Sequence, residues 1–368
     1  MNSRLDAEIL HRVTELAAEA GGCGPVSVQP VAGGRNNRVF HVQAGPREYI
    51  LKQYFVSAED PRDRLHHEFS FVKFAWDRGI RCVPEPMALD QRHRIGLYER
   101  IHGRVASSRP ASEGDIMQAA DFLGALHRQR RHPAAGHLPW AAESAASVKG
   151  HIDNVQRRID RLSLLSGESD LDRQARQIAQ SELLPLWSRV RTVLYDELIG
   201  SGRGDETLDR EQLWLSPSDF GFHNAMEEPG GRLRFLDFEF AGWDDPAKLL
   251  CDFIYQPDQP LPADLAATFL REIARYDVNP DSLRRRFRLL TPLCHVKWGC
   301  IILNDFLPFG QVRQQFTGHG CSPARKQAQL EKLRAVLARG RHGLERGQEA
   351  GDRYAAPEPR ASYVVGGA

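Results

Sequence analysis

Leu5, Ile9, Leu10, Val13, Leu16 and Ala17 recur at helical spacing, and Gly21-Gly22 close the stripe, so residues 4–20 are expected to form an amphipathic helix. The period then changes. Three short runs rich in β-branched or aromatic residues, 26–33, 39–45 and 48–54, are separated by Gly-Gly-Arg-Asn-Asn-Arg and Gly-Pro-Arg turns and predict an antiparallel meander. Leu65, Phe69, Val72 and Phe74 predict a helix over 62–76, and two further short strands follow near 83–89 and 94–100.

From Ser112 onward the helical period dominates, over 112–129, 142–165, 169–199, 262–276, 282–304 and 322–339. Only two strand-like pieces interrupt it, around Trp214 and at 232–240. The pattern predicts an α+β chain: a small lobe built on an antiparallel sheet over residues 1–101 and a larger, mainly helical lobe over 102–340. Past Gly340 the sequence is polar and rich in Gly and Pro, which cannot bury enough apolar surface to offset its ordering entropy, so 341–368 is expected as a disordered tail. There is no internal repeat.

Composition narrows the partners. Lys and Arg number 49 against 48 Asp and Glu, a net charge of +1, so no whole-molecule field attracts nucleic acid or an anionic membrane. No run of about 18 apolar residues offers a membrane span. The six cysteines are scattered without a C-x-x-C pair and read as reduced thiols in a cytoplasmic protein. His127 and His132 have no matching ligand set, and the arginines at 128, 130 and 131 read as a solvated helix face.

The chemistry concentrates in residues 216–253. Asp219, Asn224 five residues later and Asp237 on a strand end make a compact set of hard oxygen donors, suited to Mg²⁺ with room left for phosphates and water. Between the first two strands, Gly33, Gly34, Asn36 and Asn37 allow backbone N–H groups and short amide side chains to approach triphosphate oxygens.

These segments resemble the aminoglycoside phosphotransferase and choline kinase family of the protein-kinase-like fold. That family's pattern is H-x-D-x-x-x-x-N followed by a strand bearing I-D-x-E-x-A-G-x-x-D-P. Asp219 falls on its catalytic Asp, Asn224 and Asp237 on its metal-binding residues, and Glu239, Gly242, Asp245, Pro246 and Asp252 continue the match. The resemblance implies that Lys52 neutralises the α/β-phosphates, that Glu68 is its ion-pair partner, and that backbone groups of Glu99 and Ile101 meet the adenine edge. It implies an ATP- or GTP-dependent, Mg²⁺-assisted transfer of the γ-phosphate to a hydroxyl of a small molecule such as a sugar, an aminoglycoside or an amino alcohol, with Asp219 as base. One position departs: Pro217 stands where the family has its histidine. That departure keeps one alternative open beside the enzyme, a catalytically silent nucleotide-binding module that regulates a partner.

Overall fold

The computed structural model describes residues 5–31, 36–56, 60, 62–200, 206–277, 279–318 and 322–349. The first helix, α1 (Ala7–Glu19), starts where the Asp6 carboxylate accepts the amide of Ile9 at 2.9 Å, an N-cap that satisfies one of the free donors of the first turn. Its buried stripe is Ile9, Val13, Leu16 and Ala17. Five strands follow the meander: β1 (Val26–Pro30), β2 (Arg38–Ala44), β3 (Arg47–Gln53), β4 (Pro86–Asp90) and β5 (Ile95–Glu99), with α2 (Arg64–Asp77) inserted after β3. They form one antiparallel sheet in the order β1-β2-β3-β5-β4. Alternation along β2 and β3 turns Phe40, Val42 and Leu51 onto the stripe of α1.

The helical region contains β6 (Arg104–Val105), α3 (Glu113–Gln129), α4 (Val148–Arg161), α5 (Asp170–Ile178) and α6 (Leu184–Gly200). It continues through β7 (Trp214–Ser216), β8 (Ala225–Glu227), β9 (Leu233–Phe235), β10 (Gly242–Asp244), α7 (Pro246–Ile254), α8 (Ala263–Ala274), α9 (Pro280–Leu303), α10 (Pro308–Thr317) and α11 (Pro323–Glu349). Two small antiparallel units, β6-β8-β9 and β7-β10, carry the loops around residues 216–241. Phe71, Val72 and Phe74 of α2 pack into the same core as Ile116 and Leu123 of α3, so α2 serves as a shared wall between the N-terminal sheet and the helices. A second tie is Arg38. Its Nε donates to the carbonyl of Phe316 at 2.6 Å while its guanidinium lies 4.6 Å from the Phe316 ring, and Phe55 meets that ring at 5.2 Å.

Several expected elements shift for identifiable reasons. The helix expected from 142 begins at Val148, where Ser147 caps it, because Glu143 sits at φ 54°. The stretch 169–199 is interrupted by a π-helical turn at Ala179–Leu183, next to Pro185, which lacks the N–H that would continue the ladder. The strand expected over 232–240 stops at Phe235, because Asp237 adopts φ 65°, which no regular strand accommodates. The tail expected from 341 is corrected over its first residues: α11 runs on to Glu349, with Leu344 buried and Arg341 2.7 Å from Glu182. Residues 350–368 lie outside the described residues. Among the described residues, no helix is long and apolar enough to cross a membrane.

Candidate active site

β3 presents Lys52 between Val39 of β2 and Gly96 of β5. Its ammonium lies 2.6 Å from Glu68 Oε1 and 2.9 Å from Asp237 Oδ1. Glu68 comes from the buried face of α2, and its other oxygen accepts from the Tyr54 hydroxyl at 2.7 Å, which in turn meets the Tyr98 hydroxyl at 2.8 Å. Burial works against the charged Lys52, but Asp237 and Glu68 outweigh it and hold its pKa above the ordinary lysine value. Burial pushes the Glu68 carboxyl up, against the pull of Lys52.

Asp219 sits on a tight loop after β7. Pro217 fixes its own φ and keeps Ser216 extended, and Ser218 then turns through φ 67° with its amide donating to Ser216 Oγ at 3.0 Å. Phe220 and Phe222 flank the site and anchor the loop against Phe253, at 4.9 and 5.4 Å between ring centres. The Asn224 side chain donates to the carbonyl of Asp219 at 2.9 Å, which leaves its Oδ1 as the acceptor end. The amide of Leu236 donates to the Asn224 carbonyl at 2.8 Å, so Asp237, the next residue, stands beside Asn224. Its left-handed backbone aims a carboxylate still 31% exposed.

An amide oxygen and a carboxylate side by side fit a hard divalent cation. Among the described residues no three His, Cys, Asp or Glu side chains converge as a self-sufficient metal cluster. Such a pair suits a Mg²⁺ that takes its remaining ligands from nucleotide phosphates and water.

Sequence reasoning passed over His223. Its Nε2 lies 3.3 Å from Asp219 Oδ1, with both side chains partly exposed. The spacing gave no signal for it, since Asp219 lies ahead of the short helical turn Phe222–Asn224 that carries His223. His223 thus gives the Asp219 carboxylate a ring-nitrogen neighbour even though Pro217 occupies the histidine position of the family pattern.

Asn36 and Asn37 are placed differently from the expectation. Both side-chain amides donate to Glu239, at 2.6 and 2.9 Å, and Asn37 Oδ1 accepts from the amide of Phe55 at 3.2 Å. Arg64 Nη1 adds a third donor to Glu239 at 3.3 Å. The two asparagines therefore tie the turn after β1 to the strand end carrying Asp237. Burial and the nearby Asp237 raise the Glu239 pKa to about 7, against Arg64 and Asn37. Gly33 and Gly34 lie outside the described residues.

Glu99 ends β5, and its amide donates to the carbonyl of Glu85 at 2.9 Å. That leaves the carbonyl of Glu99, not its amide, as the group available to an adenine edge. The Glu99 side chain accepts from Arg234 at 2.6 Å, and Ile101, half-buried, lies two residues on.

Behind the loop, α4, α7 and α9 border a small cavity of about 30 Å³ lined by Glu143, His151, Asn154, Lys248, Asp252 and Lys297 together with Leu290, Leu293, Cys251 and Cys294. Lys248 is 2.6 Å from Asp244, 3.3 Å from Asp252 and 3.5 Å from the hydroxyl of Ser218, next to Asp219. Lys297 also pairs with Asp252, and Arg158 lies 2.7 Å from Glu143. The lining is charge-balanced and carries no aromatic ring other than the His151 imidazole.

A lysine paired to a helix glutamate, an aspartate on a tight loop and an Asn–Asp oxygen pair thus gather where the sheet meets the helices. The model of the phosphotransferase enzyme family matches residues 27–290, and the chain belongs to that family of small-molecule kinases. No curated protein matches the sequence. Among solved structures, a putative aminoglycoside phosphotransferase from Ralstonia eutropha JMP134 is similar at 15% identity, covering 93% of this chain and 99% of that one, with a TM-score of 0.60. Spectinomycin phosphotransferase in complex with ADP and spectinomycin is similar at 13% identity, over 91% and 99% of the two chains, with a TM-score of 0.57. Choline kinase from Cryptosporidium parvum Iowa II is similar at 15%, over 93% and 99%, with a TM-score of 0.54. At such identities the likeness is one of fold.

Proposed function

We propose that the protein transfers the γ-phosphate of ATP to a hydroxyl of a sugar or amino alcohol, with Asp219 as the base. One observation carries this reading: hydrogen bonds among Asp219, Asn224 and Leu236 gather the base and both oxygen donors at one point, and Asp237 lies 2.9 Å from Lys52. ADP in the spectinomycin phosphotransferase structure supports an adenine nucleotide. Asn224 Oδ1 and Asp237 would hold Mg²⁺, which supplies charge neutralisation on the phosphates. Lys52, steered by Glu68, binds phosphate oxygens and draws off their negative charge. Asp219 accepts the proton of the acceptor hydroxyl, and His223 orients the carboxylate that receives it.

The cavity behind the loop supports the acceptor class. Its cations and carboxylates neutralise one another, which disfavours a polycation, and without a Phe, Tyr or Trp ring it offers no cation–π cage for a quaternary ammonium. A neutral polyol or a small amino alcohol matches the polarity of that lining.

The test is Asp219→Asn in a nucleotide-consumption assay over a panel of sugars and amino alcohols. Turnover should fall by roughly 10²–10⁴-fold, the worth of a positioned base, with nucleotide affinity unchanged. Tight Mg²⁺-nucleotide binding with no turnover of any acceptor by the unmodified chain would defeat the enzymatic reading and leave a nucleotide-binding module.

A further inference from the structure

Two of the three arginines that the sequence marks as a solvated helix face have another setting. α3 ends at Gln129, and Arg130, Arg131 and His132 form one wall of an open concavity of about 530 Å³ whose other wall is Arg210, Glu211 and Trp243. Arg78, the residue after α2, sets its Nη1 against Nε2 of His132. Three guanidinium groups from two separate segments thus line one groove, with Arg78 beside its His132.

Their internal partners do not account for them. Arg131 pairs with Glu211 at 2.9 Å, and Asp277 acts on Arg130 from farther away. Arg130 Nη1 donates to the carbonyl of His127 at 3.2 Å, as a cation at a helix C-terminus does. Arg210 stacks on the Trp243 ring at 4.2 Å, which fixes the plane of its guanidinium and leaves its donor edge for an acceptor. The Nε atoms of Arg78 and Arg130 are buried without a hydrogen-bond partner, an arrangement that burial alone makes costly. Burial first, then the neighbouring Arg131, push the Arg130 pKa below the ordinary arginine value, so the local positive charge is under-compensated.

We propose that this groove is a second binding site, for a small phosphate-bearing anion held by Arg130, Arg131 and Arg210. A tetrahedral, multivalent acceptor with several oxygens matches forked donors arriving from different directions, where a single carboxylate would engage one fork. The small extent of this arginine-lined groove, on a chain of net charge +1, argues for a small ligand over a nucleic-acid strand. The groove shares no residue with Lys52, Asp219, Asn224 and Asp237. It backs onto the catalytic loop all the same, since Trp243 pairs with Leu215 of β7.

The test is calorimetric titration of the full chain, in the absence of Mg²⁺, with inorganic pyrophosphate, orthophosphate and glucose 6-phosphate. It is repeated on Lys52→Met and on the double variant Arg131→Ser/Arg210→Ser, whose two sites are exposed and leave the core intact. Pyrophosphate affinity should persist in Lys52→Met and weaken by roughly ten- to a hundred-fold in the double variant, the worth of lost charge-assisted hydrogen bonds. Tighter binding of the sugar phosphate than of orthophosphate assigns the site to a phosphorylated metabolite, and the reverse order assigns it to free phosphate; either supports the site. Loss in Lys52→Met with retention in the double variant would put the anion in the nucleotide cleft and overturn the proposal, as would no binding of any of the three anions.

Discussion

Asn37 and Glu239 are joined by a 2.9 Å hydrogen bond across 202 residues of chain. Because Asn37 also accepts from the amide of Phe55, one side chain couples the edge of β2 and the end of β3 to the strand end that carries Asp237. The N-terminal sheet is thereby held in register with the metal-binding side of the cleft.

Glu239→Gln halves what that carboxylate can do. A glutamine offers one accepting oxygen to three donors and turns its own NH₂ toward an asparagine NH₂. The KM for ATP should rise by about ten-fold, with a smaller effect on kcat, since the change displaces the nucleotide loop and spares the base. Steady-state kinetics with ATP varied at saturating acceptor decides it; an unchanged KM would mean that Asn36 and Asn37 are positioned without Glu239.

His223→Ala should lower kcat by roughly ten-fold while the dissociation constant for nucleotide stays the same, because the ring orients Asp219 and touches no phosphate-binding group. His223→Gln, whose amide can still donate to the carboxylate, should recover part of the loss. Equal damage from both variants would show that the ring serves packing alone.

Asp245 links the motif to stability. Its Oδ1 caps α7 through the amide of Ala247 at 2.8 Å, and its Oδ2 receives Arg286 and His151. Burial alone would raise its pKa, but the His151 hydrogen bond and the Arg286 charge outweigh it and lower the value from 3.8 to about 2. A depressed carboxylate contributes stability that is present above its unfolded pKa and lost as pH falls from about 4 to about 2. Asp245→Asn keeps the cap but leaves the buried Arg286 uncompensated, so it should destabilise by about 3–5 kcal/mol at pH 7. Its urea midpoint should also vary less with pH across that acid window; an unaltered slope would show that the pairing with Arg286 contributes nothing net.

Truncation after Gly340 should cost stability, because it removes the last two turns of α11 with the buried Leu344 and the Arg341–Glu182 pair. The melting temperature should drop by roughly 2–4 °C. Turnover per folded molecule should be unaffected, since these residues lie outside the cleft. Truncation after Glu349 is the control that separates the end of the helix from residues 350–368.

Much of this was readable from the chain. β2 and β3 lie within a residue or so of where alternation put them, because each buries one face on α1 and a slip would expose it. Lys52, Glu68, Asn224 and Asp237 stood out through their match to a family pattern; the structure sets Lys52 against Glu68 and Asp237, and Leu236, next to Asp237, against Asn224. The run at 232–240 misled because Phe235, Phe238 and Phe240 look like strand residues, whereas the sharp turn at Asp237 sends the chain away from the sheet. The partners of Asn36 and Asn37 were not legible, since nothing local marks a carboxylate about two hundred residues away as their acceptor. The length of α11 was obscured by composition: Gly340, Gly343 and the charged residues around them are poor core formers, yet Leu344 finds a buried site.

The contact of Arg38 and Phe55 with Phe316 joins the N-terminal sheet to the helices, from the start of β2 to the end of α10. Any swing of the sheet away from the helices has to part this clasp, so α10 adds to the stiffness between the two regions from a point outside the Lys52–Asp237 cleft.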